Sequence, residues 1–260
     1  MSARLTTSAC GLRFQNPILL AAGTAAYGRE LADVMDLEAL GGFVTKAVSP
    51  EPRSGAPAPR VGDFSGGMIN AVGLANPGME AVKREDLPWI AAHVRTPRVL
   101  VNVVGKVAED FATVVAHLDD APGFQGYELN VSCPNVKQGG MEFGADPQAL
   151  HTVISGARSA RRPLLGFGSG GVSGPGLLAV GVLATWRVRQ AVQVPILGAG
   201  GVQSAEDVLQ FVLAGASAVA MGTAALADPK LPARIVRDLE RWMEREGVGN
   251  IGELVGTLRV

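Results

Sequence analysis

Five polar side chains stand at or just beyond the ends of short apolar runs. Thr45 and Lys46 lie at the end of GFVTKA, Asn102 sits late in VLVNVVG, Asn130 closes YELN, and Cys133 follows it in NVSCPN. An ammonium suits a carboxylate or another anion, and carboxamides pair with the edges of a planar heterocycle. A thiol, with a pKa of about 8.5, takes a proton once its surroundings shift or orient it. Each residue alone has a plain structural reading: a solvated lysine, an asparagine tying down backbone, a cysteine filling a small apolar gap. Independent structural reasons do not explain why they share the same position relative to separate runs. The three histidines, His93, His117 and His151, lie in helical or pre-helical segments, so a histidine base is not expected.

A second constellation is built from glycine: GSGGVSGPG over 168–176, GAGGV over 198–202, and MGT over 221–223. Glycines let backbone N–H groups converge on an anion, and a helix N-terminus favours negative charge. Two late glycine loops followed by a Gly-Thr pair point to a phosphate; the alternative is tight turns alone.

These residues need a scaffold that brings them together. Seven runs read as strands, over 18–22, 42–47, 99–104, 127–131, 163–167, 194–198 and 218–221. They are short, mostly rich in Val, Ile, Leu and Ala, and apolar on both faces, as parallel strands covered on both sides are. Helices are expected over 30–37, 108–118, 147–159, 176–192, 204–214 and 231–245, with Ser204 as an N-cap followed by acids in the first turn. Alternating strands and helices without a linker predict one α/β domain over residues 1–260, a TIM-type barrel whose chemistry gathers at the C-terminal ends of its strands. Seven strand signals rather than eight, a long Pro-rich excursion between Val44 and Val101, and no room for a helix between Leu165 and Gly168 predict a contracted barrel. It would hold about six full βα units plus the 163–167 remnant. A phosphate at the late loops, with amides and a lysine elsewhere on the rim, describes a flat phosphorylated ligand lying across the mouth. FMN fits that description.

Composition narrows the alternatives. With 47% hydrophobic and 18% charged residues in 260, disorder is excluded. Lys and Arg number 23 and Asp and Glu 24, so the charge of −1 gives no electrostatic reason to bind nucleic acid or an acidic membrane. Two cysteines, Cys10 and Cys133, do not make a disulfide scaffold, and a reducing, cytoplasmic compartment is expected. No apolar run has the length of a signal peptide or a membrane span, and no metal-ligand spacing stands out.

TKAVSPEPRSGAPAPRV over 45–61, GGMINAVGLANPG over 66–78, ELNVSCPNVKQGG over 128–140, GGVSGP, and LGAGGVQSAEDVLQFVLAGASAVAMGTA together resemble the class 1 dihydroorotate dehydrogenases, and the first stretch resembles the 1B branch more than the fumarate-linked 1A branch. The resemblance runs over nearly the whole chain. It implies an FMN enzyme of pyrimidine biosynthesis that oxidises dihydroorotate to orotate. Cys133 would remove the C5 proton, and a hydride would leave C6 for the flavin. Lys46, Asn70, Ala71, Val72, Gly73 and Leu74 would hold the substrate's carboxylate and ring edges, with Asn130 and Asn135 on its amide edges. Thr24, Thr45, Lys46, Asn102 and Asn130 would line the flavin. Gly174, Gly200, Gly201, Gly222 and Thr223 would cradle its phosphate. Residues 134–143, pivoting at Gly139 and Gly140, would act as a lid.

The chain departs from that family at one place. There the fifth strand leads into a lysine-bearing motif, a helix, and a sixth strand ending in an asparagine motif. Here RPLL at 162–165 runs straight into GFGSGGVSGP. Losing a strand exposes two edges, so a homodimer shielding the altered edge is expected. Two functions compete: an active dihydroorotate dehydrogenase, which in the 1B branch passes electrons to an accessory subunit carrying FAD and a 2Fe–2S cluster, or a flavin-binding homologue with impaired or no activity because the missing elements carried a lysine and an asparagine.

Overall fold

A computed structural model describes residues 3–58, 60–64, 67–70, 72–131, 151, 155, 164–167 and 172–258. All seven expected strand regions contain strands: β3 (Ile18–Leu20), β4 (Gly42–Val44), β7 (Arg98–Val103), β8 (Gly126–Asn130), β9 (Leu164–Phe167), β11 (Leu197–Ala199) and β12 (Ala218–Met221). They pair in parallel as one curled sheet in the order β11-β12-β3-β4-β7-β8-β9. This is a contracted TIM-type barrel. Among the described residues no ladder joins β9 to β11, so the wall is open where the sequence lacks a strand and helix.

Side chains alternate across the wall with the two-residue period of a strand. Val99, Val101 and Val103 of β7 and Tyr127 and Leu129 of β8 belong to the large outer core. That core also holds Phe111, Val114, Val115 and Leu118 of α3 (Ala108–Leu118), and Val208, Phe211 and Val212 of α5 (Ala205–Ala214). Ile235, Leu239 and Met243 of α7 (Leu231–Glu246) complete it. A buried side chain of this size contributes about 1.5–3 kcal/mol relative to exposure. On the inner face, Leu19 and Ala218 pack against Ala9 and Phe14, and Val44 and Leu100 against Cys10 and Leu12. These partners come from the hairpin β1 (Thr7–Ala9) and β2 (Leu12–Phe14), which plugs the foot of the barrel and leaves the mouth for chemistry.

Several expectations are corrected. The 30–37 helix is absent: the chain makes successive turns there, with Leu31, Val34 and Met35 N–H groups reaching back to Gly28 and Leu31 carbonyls. A short 3-10 turn, Leu37–Ala39, follows. The strand expected over 42–47 stops at Val44 because the Lys46 N–H leaves the ladder for the Ala26 carbonyl at 2.7 Å. The 194–198 strand is displaced to Leu197–Ala199, since Pro195 has no N–H for a ladder. The early excursion is structured. It contains the antiparallel hairpin β5 (Val61–Phe64) and β6 (Gly67–Asn70), then a helical stretch made of α1 (Met79–Ala81), a π-helical turn (Val82–Asp86) and α2 (Leu87–His93). The strands are also not apolar on both faces, because Glu128 of β8 points into the barrel.

The remaining helices are α4 (Leu178–Ala191), entered through a 3-10 turn at Pro175–Leu177, and α6 (Thr223–Ala227). α4 flanks the open part of the wall and is poorly covered. Only Thr185 of its residues is buried, whereas α5 buries six. Of the expected 147–159 helix only His151 and Ser155 are among the described residues, and both are helical.

Candidate active site

Parallel pairing places the C-terminal ends of β3, β4, β7, β8, β9, β11 and β12 on one rim. Beyond β4, Thr45 is fully buried and bridges to β7. Its N–H donates to the Leu100 carbonyl at 2.9 Å, and its Oγ1 accepts from the Asn102 N–H at 3.2 Å and donates to the Lys46 carbonyl at 2.9 Å. The Tyr27 hydroxyl donates to the Ala47 carbonyl at 3.0 Å, and burial pushes that phenol far above its ordinary range. These bonds clamp the backbone on both sides of Lys46, which is half-buried at the mouth.

Asn102 and Glu128 meet inside the barrel. Asn102 is 1% exposed, and its Nδ2 donates to Glu128 Oε1 at 2.5 Å. Asn102 Oδ1 is buried, and no donor among the described residues reaches it. Burial pushes the Glu128 carboxyl up to about 7, against a smaller downward pull from the Asn102 amide. Asn130 shares the inner face with Glu128, two residues nearer the mouth, and pairs in register with Phe167.

The described parts of the three glycine loops lie together. Gly201, at φ +75°, lies so close to the start of α4 that a Cβ would stand 2.5 Å from the Leu178 nitrogen and 2.9 Å from the Pro175 carbonyl oxygen. Gly200 faces Leu177 of the same turn, which Gly174 precedes. Thr223 donates its hydroxyl to Ser173 Oγ at 2.5 Å, joining the third loop to the first. Thr24 is buried on the far side of Gly222, whose Cβ position lies 3.7 Å from Thr24 Oγ1. Thr24, Gly174, Gly200, Gly201, Gly222 and Thr223 therefore form one cluster at the late rim.

The hairpin β5–β6 reaches this cluster: β6 pairs with β10 (Val172–Ser173), forming a separate three-stranded sheet. Asn70 is the last residue of β6. Val72, Gly73 and Leu74 lie against Gly55–Ala56: the Ala56 N–H donates to the Val72 carbonyl at 3.0 Å, and Gly73 and Leu74 both adopt positive φ. Asn76 anchors the turn, donating to Leu74 O and Ser49 Oγ and accepting from the Gly78 N–H. Ala71, Cys133, Asn135 and the 134–143 lid lie outside the described residues.

Three contributors escape the sequence reading: Glu128, Ser173 and Asn76. Glu128 carried a usable signal, since it stands two positions before Asn130 and must share its face of the strand. Ser173 and Asn76 carried none beyond residue type.

A family model described as dihydroorotate dehydrogenase matches residues 4–167 and 157–243. The two stretches meet at β9, where the chain departs from the family pattern. The chain is 40% identical over 304 aligned positions to the dihydroorotate dehydrogenase B (NAD(+)) catalytic subunit of Pelobacter propionicus, covering 99% of each. It is 39% identical over 305 positions to the putative dihydroorotate dehydrogenase A (fumarate) of Solibacter usitatus, covering both chains fully. Both alignments are longer than the chain's 260 residues, so these relatives contain positions with no counterpart here. A crystal structure of DHODH from Eimeria tenella in complex with ferulenol superposes with a TM-score of 0.86 at 19% identity, over 98% of this chain and 89% of that one.

Proposed function

Because the chain belongs to the dihydroorotate dehydrogenase family, we propose that it binds FMN across the barrel mouth and oxidises dihydroorotate to orotate. The observation that carries the flavin reading is the pairing of a buried, unsatisfied acceptor at Asn102 Oδ1 with a cluster of close-packed glycine turns. An apolar wall would leave no such acceptor, because a buried polar atom without a partner costs about 1–3 kcal/mol. Bound there, FMN would accept a hydride from the substrate. Gly174, Gly200, Gly201, Gly222 and Thr223 would offer N–H groups and a hydroxyl to its phosphate. Thr24, Thr45, Lys46, Asn102 and Asn130 would line its ring.

Cys133 would take the C5 proton, which is acidified by the adjacent carbonyl, and Lys46 would neutralise the substrate's carboxylate. Asn70, Ala71, Val72, Gly73, Leu74, Asn130 and Asn135 would complete the substrate's contacts. The lid over 134–143 would exclude water while the proton moves. The working compartment would be the cytoplasm; no helix among the described residues is long and apolar enough to cross a membrane. The name of the Pelobacter relative, a catalytic subunit, supports a partner subunit; that partner would be an electron-transfer subunit carrying FAD and a 2Fe–2S cluster. A homodimer covering the thinly packed α4 side is the expected self-association.

The open wall between β9 and β11 favours a second reading, a flavin-binding homologue with impaired or no turnover. One experiment separates the two. The purified protein should carry a flavin absorption band near one FMN per chain, and anaerobic dihydroorotate should bleach it. Flavin present but unbleached supports the second reading; a colourless protein that takes up no FMN overturns both. Cys133→Ala should bind FMN normally yet bleach at least a hundredfold more slowly, in line with general-base contributions of about 10²–10⁴. Bleaching as fast as wild type would remove the thiol from the mechanism.

A further inference from the structure

We infer that Glu128 is a positioning residue whose proton decides which end of the Asn102 carboxamide faces the barrel mouth. The inference rests on the reading that FMN binds there. Both side chains are almost wholly buried, Asn102 at 1% and Glu128 at 4% exposure, and their bond joins two neighbouring strands in register. In the observed arrangement Asn102 Nδ2 donates to Glu128 Oε1, and Asn102 Oδ1 has no donor among the described residues.

A carboxylate has no proton to give, so it can hold only the Nδ2 end of the amide. The mouth is then shown an acceptor. A protonated carboxyl can instead donate to Oδ1, and the amide turns over to show the mouth a donor. The two arrangements differ by one proton and a half-turn of the carboxamide. The backbone does not follow, because the Asn102 N–H is held by Thr45 Oγ1 and the Asn102 carbonyl by the Val48 N–H. With the carboxyl pushed up to about 7, both protonation states are populated near neutrality.

Among the described residues no charged group on the packed elements contends for this role. Lys46 follows β4 at the mouth and Arg98 begins β7 at the foot, where its Nε donates to the Arg13 carbonyl. Neither contributes to the Glu128 shift, and β8 itself carries no other charge. A flavin edge carries both N–H and C=O groups. A ligand N–H seated on Asn102 Oδ1 would lock the observed arrangement, favour ionised Glu128 and release its proton to solvent. FMN should therefore bind more tightly as pH rises.

The test is FMN titration of wild type and Glu128→Gln from pH 5.5 to 8.5. A glutamine can hold the amide but cannot ionise. If binding lowers the carboxyl's pKa by about one, wild-type affinity should rise about fivefold more than that of E128Q between pH 6 and pH 8, the titration of the FMN phosphate being common to both. Calorimetry of wild type alone, in buffers of different ionisation enthalpy at pH 7, should show a fraction of a proton released per FMN, which keeps the test independent of the variant. A flat or inverted wild-type profile, or the same slope in E128Q, overturns the inference while leaving flavin binding standing. Failure of wild type to bind FMN at any pH overturns the flavin reading and takes this inference with it.

Discussion

The Thr223 hydroxyl donates to Ser173 Oγ at 2.5 Å, and Ser173 Oγ donates in turn to the Met68 carbonyl at 3.3 Å. Two hydroxyls thus join the turn after the last barrel strand, the late glycine loop and the hairpin inserted between β4 and β7. The inserted hairpin is thereby part of the rim. Asn70 lies at the end of that hairpin, so the relay links the proposed phosphate cradle to a proposed substrate contact.

Ser173→Ala removes both bonds of the relay. At about 1 kcal/mol per neutral hydrogen bond, stability should fall by about 1–2 kcal/mol, which lowers the melting temperature of a chain this size by about 2–8 °C. FMN should also bind more weakly, because the cradle loses its strut. Differential scanning calorimetry with a flavin titration checks this; an unchanged melting temperature would show that the relay holds nothing together.

Gly201→Ala and Gly247→Ala form a matched pair. Both glycines have positive φ, at +75° and +68°, but nothing lies within 4 Å of a Cβ at Gly247, whereas at Gly201 the Cβ meets the backbone of Leu178 and Pro175. Gly247→Ala should cost about 1 kcal/mol of backbone strain and leave FMN affinity unchanged. Gly201→Ala must also push the entry to α4 aside. It should cost several kcal/mol by strain of this kind and weaken FMN binding at least tenfold. Equal effects on flavin affinity would argue against a phosphate at Gly201.

Glu128 also fixes a pH dependence of stability. Its folded-state carboxyl titrates at about 7, against about 4.3 in an unfolded chain. Between these values the unfolded state sheds a proton that the folded state keeps. Stability from this group is therefore complete below about pH 4, declines as pH rises to about 7, and is level above. The full loss is about 4 kcal/mol by linkage. Glu128→Gln, neutral throughout, should have a higher urea midpoint than wild type at pH 8 and a similar one at pH 4. The same gap at both pH values would mean that burial does not hold the carboxyl neutral.

Continuous apolar runs made the parallel strands legible, because a strand covered on both faces needs little else. The same criterion hid Glu128, a single charge inside an otherwise apolar run. The helical stretch through α1 and α2 was obscured by Pro88, which has no N–H to give; a π-helical turn ends just before its first turn, where the N–H groups have no intrahelical partner anyway. The β5–β6 hairpin is built from a Gly-rich stretch, and its β6 strand also pairs with β10, more than a hundred residues away. Convergence of the glycine loops was foreseeable from their place after late strands, but the Thr223–Ser173 bond depends on the path of that hairpin. The missing strand was legible as a splice at 162–168, and it appears as a ladder that stops at β9.

That unclosed ladder leads to the last prediction. On α4, Val180, Leu183 and Val188 are 63%, 46% and 46% exposed, and Val180 and Leu183, three residues apart, share one face of the helix. Val194, 61% exposed, continues the apolar surface toward β11, an end strand of the sheet. An open strand edge beside an apolar helix face favours association, and a second copy of the chain offers the same surface for an isologous contact. Wild type should therefore sediment as a dimer at micromolar concentration. Val180→Glu combined with Leu183→Glu should sediment as a monomer, because like charges from the two copies would then be buried against each other. Both side chains are exposed and neither makes a bond of the glycine cradle, so the monomer should keep its FMN. A wild type that is monomeric, soluble and cooperative on melting would show that the thin side of the barrel needs no cover.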